Sequence, residues 1–244
     1  MSELKSISET TKSEASGLAS RIQSTIISNT LTRARWEQHI AECRKYHFQA
    51  AMIPPAWVKE TARALQGSGI RTASFVDFFY GTMTSAGKAY ETARPVEDGA
   101  EEVDLMPNVG FLLSGMEREY SDDIAGVVKA AGKAPVKIVL ELPLLNEQQR
   151  LRAVSLSVEA GVAYLKNASG GAVGTATPEQ IAFLRRIAPP RVRVKASGGI
   201  KSAQHVRDLV AAGADLVGTS SGVHIMEEVL GGLAPQIEGD SMQY

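Results

Sequence analysis

The stretch Ala160-Gly-Val-Ala-Tyr-Leu-Lys-Asn-Ala-Ser-Gly170 shows how the whole chain is organised. Its first glycine closes the helical period before it, a position that favours a residue without a Cβ. A short apolar run, Ala163–Ala168, follows as a strand interrupted by one lysine, Lys166. The same grammar recurs at Asp98-Gly99-Ala100 and Ala212-Gly213-Ala214, each of which ends a helix and opens a strand. Five residues beyond Gly99, Gly161 and Gly213 fall Asp104, Lys166 and Gly218, and the same step from Gly132 falls on Lys137. Equivalent positions in successive strands share a facing direction.

Outward from this unit, short apolar runs alternate with longer segments of helical period, the pattern of βα units and a parallel sheet. Strands are expected near Ile22–Ile26, Gln49–Ile53, Arg71–Asp77, Glu102–Met106, Val136–Glu141, Ala163–Ala168, Val192–Ser197 and Asp215–Thr219. Eight such units in 244 residues predict a single (β/α)8 barrel, for which about 250 residues is usual. Asn146 and Thr177 stand three residues before Gln149 and Gln180, the spacing of a capping box, with Pro178 at the first helical position. Residues 1–20 read as a loosely attached N-terminal extension and residues 231–244 as a C-terminal tail, leaving 21–230 as the barrel.

Composition narrows the function. The 26 basic residues nearly balance the 27 acidic ones, and neither sign forms a block. The electrostatic case for nucleic acid or an anionic membrane is therefore missing. A single cysteine, Cys43, allows no internal disulfide and points to the cytoplasm. No apolar run reaches membrane-spanning length. The expected partner is a small molecule, and the expected assembly a homodimer, the commonest oligomer. No Walker-type or dinucleotide loop occurs, and His39 with Cys43 on one helical face has no second pair of ligands, so neither cofactor nor metal is expected.

Strands of a parallel barrel are covered on both sides and should be nearly continuously apolar, so charges inside them need a reason. Asp104, Lys137, Lys166 and Lys195 each interrupt such a run in the inward phase. Any one of them is explained by an ion pair or by snorkelling. Three lysines around one carboxylate leave a positive excess that pairing does not explain. A lysine attacks a carbonyl only as the neutral amine, and with a reference pKa of about 10.4 roughly one molecule in a thousand or fewer is neutral at pH 7. Burial and a second ammonium, Lys195 beside Lys166, would correct this. The residues point to an amine nucleophile, Lys166, able to form an imine with a carbonyl substrate.

Beyond the seventh and eighth strands, Ser197-Gly-Gly-Ile-Lys201 and Gly218-Thr-Ser-Ser-Gly222 occupy loops that commonly bind phosphate in barrels. Their glycines admit close backbone approach and their serines add donors. Two tight turns would leave the same signature.

Ala163-Tyr-Leu-Lys-Asn-Ala-Ser-Gly170, Val194-Lys-Ala-Ser-Gly-Gly-Ile200, Gly218-Thr-Ser-Ser-Gly222 and Glu101-Glu-Val-Asp104 together resemble the signatures of the deoxyribose-phosphate aldolase family, in order and spacing from about Ile22 to Val223. This resemblance implies that Lys166 forms the Schiff base, Lys195 perturbs its pKa and Asp104 shuttles protons, with Lys137 in the same interior. It implies phosphate binding at Gly170, Gly198, Gly199, Ser220 and Ser221, and a reversible joining of acetaldehyde to glyceraldehyde 3-phosphate without metal. Some members end in a tyrosine that folds over the site, which makes Tyr244 a candidate. The sequence departs from the family at Ile22-Gln-Ser-Thr25, Met52-Ile-Pro-Pro55, Asp77-Phe-Phe-Tyr-Gly81 and Asn167-Ala168. These changes flank the mouth and interior, and bear on the acceptor aldehyde rather than on imine chemistry. The competing readings are a Schiff-base aldolase or lyase for another aldehyde or keto substrate, a phosphate-ligand barrel that has lost catalysis, and a barrel enzyme using lysine as a general acid without an imine.

Overall fold

A computed structural model describes residues 8–170 and 173–231. The eight strands are β1 (Ile22–Thr25), β2 (Ala50–Met52), β3 (Arg71–Val76), β4 (Glu102–Leu105), β5 (Val136–Val139), β6 (Tyr164–Lys166), β7 (Arg193–Ser197) and β8 (Leu216–Thr219). All pair in parallel in sequence order, and β8 returns to β1 to close the barrel. Each lies within its expected run, shortened by one to three residues at one end or both.

The helices are α1 (Glu9–Ala19), α2 (Arg33–Tyr46), α3 (Val58–Leu65), α4 (Ser85–Glu97), α5 (Val109–Leu113), α6 (Glu117–Ala131), α7 (Glu147–Glu159), α8 (Pro178–Ile187), α9 (Ala203–Ala211) and α10 (Gly222–Val229). Three helix-to-strand joints share one construction. Gly99, Gly161 and Gly213 take φ of 110°, 94° and 109°, a region open to glycine. The next residue then donates its N–H five positions back, from Ala100 to Pro95, Val162 to Ser157 and Ala214 to Leu209, closing the last turn.

Two local expectations are modified. Asn146 and Gln149 form the full capping box, but at α8 only the Thr177 half forms. The Gln180 amide oxygen accepts instead from Asn167 Nδ2 at 2.9 Å, and Asn167 Oδ1 accepts the Ser197 N–H at 2.8 Å. The residue after Lys166 thereby ties β6 to the end of β7. Within the supposedly loose first twenty residues, α1 is capped by Ser8 and buries Ala15, Leu18 and Ala19; it packs on α10. Its apolar spacing is too sparse to announce this in sequence.

The main core lies between strands and helices, where Val103, Leu105, Ile138, Leu165, Val194 and Val217 are fully buried. Inside the barrel a small apolar patch, Ala50, Met52 and Ala73 with Phe75, covers the β2–β3 side. The remaining interior is polar. That division gathers the buried charges of the interior on β4 to β7.

Candidate active site

The alternation of β4 directs both Glu102 and Asp104 inward, while β5, β6 and β7 contribute Lys137, Lys166 and Lys195. Register makes neighbours of these positions: Asp104 pairs with Lys137 across β4–β5, and Lys166 with Lys195 across β6–β7. All five are buried, from 0% exposure for Glu102 and Lys137 to 5% for Lys166.

Asp104 is the centre of this cluster. Its Oδ2 accepts from Lys195 Nζ at 2.7 Å and Lys166 Nζ at 2.9 Å, while its Oδ1 faces Lys137 Nζ at 3.2 Å. Burial alone would raise the Asp104 carboxyl, but the charges of Lys166, Lys195 and Lys137 outweigh it and hold the group far below the ordinary carboxylate range.

Glu102 corrects the sequence-based charge count. It supplies a second buried carboxylate, 2.8 Å from Lys137 Nζ and 2.5 Å from Arg71 Nη1. Burial would raise its pKa; Lys137 and Arg71 pull it down to about 2. For Lys137, Asp104 and Glu102 together overcome burial and raise its pKa. Lys137 is thus committed to ion pairing, and three lysines against two carboxylates still leave one positive charge in surplus.

Lys195 bears that surplus. Burial, its largest influence, combines with repulsion from Lys166 and Lys137 against the attraction of Asp104, and its pKa falls to about 7. Sequence reasoning gave Lys195 the part of the charged neighbour of Lys166, and the two ammonium groups do converge on one oxygen of Asp104.

Gln23 and Gln49 were missed as site residues. Gln23 is fully buried, accepts from Lys195 Nζ at 2.6 Å and donates to Glu102 Oε2 at 2.6 Å. Gln49 donates to Glu102 Oε1 at 3.0 Å. An uncharged residue in a short strand leaves little trace in an apolar pattern. Glu102 did leave one, since it shares the phase of Asp104 two positions later.

Above the cluster opens a cavity of about 1250 Å³ lined by Asp104, Lys166 and Lys195 together with Gly170, Gly198, Gly199, Ser220 and Ser221. The loops touch: a Cβ on Gly170 would lie 3.3 Å from the Cα of Gly198, and one on Gly199 would meet Thr175 Oγ1 at 2.6 Å. Both positions also have positive φ. Lys201 and His224 line the same end. The opposite wall is apolar, with Met52, Phe75, Phe78 and Phe79; the Phe78 ring centroid is 5.4 Å from Lys166 Nζ. Phe78 and Phe79 belong to the departure Asp77-Phe-Phe-Tyr-Gly81 that sequence placed at the mouth, whereas loop conformation, which is tertiary, hid Thr175 and His224. Tyr244 lies outside the described residues.

His39 and Cys43 lie buried on one face of α2. His39 Nε2 is 3.8 Å from Cys43 Sγ within α2, and burial lowers His39 to about 4 and raises Cys43 to about 12.

A profile of the DeoC/LacD family aldolases matches residues 58–228, more than half of the chain. The chain belongs to this aldolase family. The deoxyribose-phosphate aldolase of Geobacillus sp. (strain WCH70) is 38% identical over 211 residues, covering 86% of this chain and 95% of its own. That of Brevibacillus brevis is 39% identical over 205 residues, with coverages of 84% and 93%. Among solved structures, the tetrameric deoxyribose phosphate aldolase of Aeropyrum pernix superposes with a TM-score of 0.81 at 31% identity, covering 88% of this chain and 91% of that one. As a DeoC/LacD aldolase the chain is a carbon–carbon lyase. Its family fold is the closed parallel barrel described above, and no described helix is long and apolar enough to cross a membrane.

Proposed function

We propose that this aldolase works through a Schiff base on Lys166 and catalyses the reversible cleavage of deoxyribose 5-phosphate to acetaldehyde and glyceraldehyde 3-phosphate. The observation that carries the reading is the convergence of Lys166 and Lys195 on one oxygen of Asp104, beneath a cavity whose far end is built of glycine and serine loops.

The chemistry follows from charge. Repulsion between the two ammonium groups favours loss of a proton from the pair, and Lys166, facing the cavity, adds its neutral amine to the donor carbonyl. The carbinolamine loses water and becomes an iminium ion. Asp104 is ionised and so is fitted to accept a proton. Lys195 gives its proton to the departing hydroxyl as that water forms; one of the three cations that suppress Asp104 basicity is then gone, and Asp104 takes the donor's α-proton directly or through water, to be returned to the alkoxide when the enamine adds to the acceptor. The resulting enamine attacks the acceptor aldehyde, and hydrolysis returns Lys166. The backbone N–H groups around Gly170, Gly198 and Gly199, the hydroxyls of Ser220 and Ser221 and the start of α10 hold the phosphate. Tyr244 is the residue proposed to close over the site. The proposal includes a dimer in the cytoplasm.

The test is borohydride reduction in the presence of acetaldehyde, followed by peptide mass mapping. An added ethyl group on Lys166 supports the reading; an adduct on Lys195 or Lys137 reassigns the nucleophile, and no adduct with any carbonyl compound removes the imine.

A further inference from the structure

The strands begin at the opposite mouth of the barrel, where a second cavity of about 560 Å³ is lined by Arg21, His47, Arg71, Tyr164, Arg193 and Asp215, among others. Asp215 is the single carboxylate among its described lining residues, and its Oδ2 already accepts from the Val194 N–H at 2.8 Å and from Arg185 at 3.4 Å. The pocket is therefore electropositive. Arg193 donates one Nη1 hydrogen to Tyr164 Oη at 2.8 Å, with its guanidinium 5.4 Å from the Tyr164 ring centroid. Arg71 donates through Nη1 to Glu102, and 47% of its side chain is exposed. Each guanidinium has five N–H donors, so both keep donors that no described residue accepts. Two planar forks around one concavity are suited to an oxyanion.

The same residues are wired to the catalytic cluster. Arg71 holds Glu102; Glu102 holds Gln23 and Lys137; Gln23 accepts from Lys195, and Lys137 faces Asp104. Arg193 precedes Lys195 by two residues in β7, on the same side of the strand and about 7 Å along it. The charged groups that act on Lys195 are Asp104 from β4, Lys137 from β5 and Lys166 from β6; Glu102 stands one hydrogen bond further off, through Gln23.

We propose that this lower pocket binds a phosphate-type oxyanion on Arg71 and Arg193, and that its occupation slows catalysis at neutral pH by favouring the charged form of Lys195. An added anion acts on Lys195 as a further carboxylate does, stabilising the ammonium. Binding stands on the pocket alone; the effect on rate rests on the imine reading.

Calorimetric titration with inorganic phosphate separates the two mouths. The wild type is expected to bind two phosphates per chain and Arg193→Gln one. Arg193→Lys, which keeps the charge but not the fork, is expected to bind the lower phosphate roughly tenfold more weakly. With saturating aldehyde substrate, phosphate is expected to move the acid limb of the kcat profile upward by roughly half a pH unit in the wild type and to leave that of Arg193→Gln in place. A single phosphate that survives in Arg193→Gln overturns the lower site. A single phosphate that Arg193→Gln abolishes supports the lower site and removes instead the phosphate reading of the glycine loops. Lower-site binding with an unmoved acid limb overturns the coupling to Lys195.

Discussion

Lys166 and Lys195 are register partners on adjacent strands, and their ammonium groups converge on the same oxygen, Asp104 Oδ2, at 2.9 and 2.7 Å. Two cations so close cannot both hold their protons without strong repulsion. This divides the labour between them, and each part is open to test.

Lys166→Ala is expected to abolish the reducible adduct. Lys195→Leu is expected to retain it at a slower rate that climbs with pH, because the neighbour that loosens the proton is gone. Mass-mapped trapping rates across pH 6 to about 10 check both; rapid trapping by Lys195→Leu at neutral pH refutes the pairing argument.

Asp104→Asn keeps the shape of the cluster but removes its base. The imine should still form, whereas exchange of the donor's α-proton, followed by NMR in deuterated water, should fall by about 10²–10⁴-fold. Unaltered exchange would assign the proton transfer to another group.

Burial and repulsion from Lys166 and Lys137 lower Lys195 to about 7, and the proposed imine chemistry begins from an amine of this pair. A neutral amine is required, so kcat/KM should rise with pH through this value and level off above it. Arg71→Gln reduces the positive charge near the cluster, which favours the ammonium form, and is expected to shift the limb upward. A profile already flat between pH 5 and 8 would contradict the requirement.

Gly218 gives Lys195 its room. A Cβ there would stand 3.0 Å from Lys195 Cε, and because a flexible side chain yields easily, Gly218→Ala should fold with a melting temperature near that of the wild type but displace the ammonium from Asp104. We expect kcat to drop by roughly tenfold or more, since small misplacements of reacting groups are costly. Gly199→Ala, which would meet Thr175 at 2.6 Å, should act differently by raising KM for phosphorylated aldehydes more than for unphosphorylated ones.

Glu102 links stability to acid. Its folded value of about 2 lies below the ordinary 4.5, so the stabilisation it contributes is present above pH 4.5 and is lost as pH falls through 2. Asp104 acts in the same direction. The melting temperature should hold above pH 5 and decline steeply below about 4, and Glu102→Gln should flatten that decline while lowering stability at pH 7. A melting temperature independent of pH from 7 to 3 would rule this out.

The fold was legible because a parallel barrel leaves a double trace: apolar runs of fixed length and a glycine at the same step before several of them. Asp104, Lys137, Lys166 and Lys195 were legible for the converse reason, as charges where burial forbids them. Glu102 was overlooked at a strand's first position, where an exposed edge is the ordinary reading; only its phase relative to Asp104 betrays it. Gln23 and Gln49 carry no charge to betray them, and their importance arises from contacts 26 to 172 residues apart in sequence. The helix α1 was hidden because three buried side chains in eleven residues make a weak stripe.

Five ionisable groups sealed inside the barrel have a consequence for how such a protein changes over generations. Buried ion clusters fold less tightly than apolar side chains of similar volume, often by about 1–4 kcal/mol. Substitutions that harden the interior and substitutions that silence the lysines therefore lie in the same direction. A lineage selected for robustness alone would drift toward an inert, greasier barrel, and Lys137, Lys166, Lys195, Asp104 and Glu102 persist together only where turnover itself is under selection.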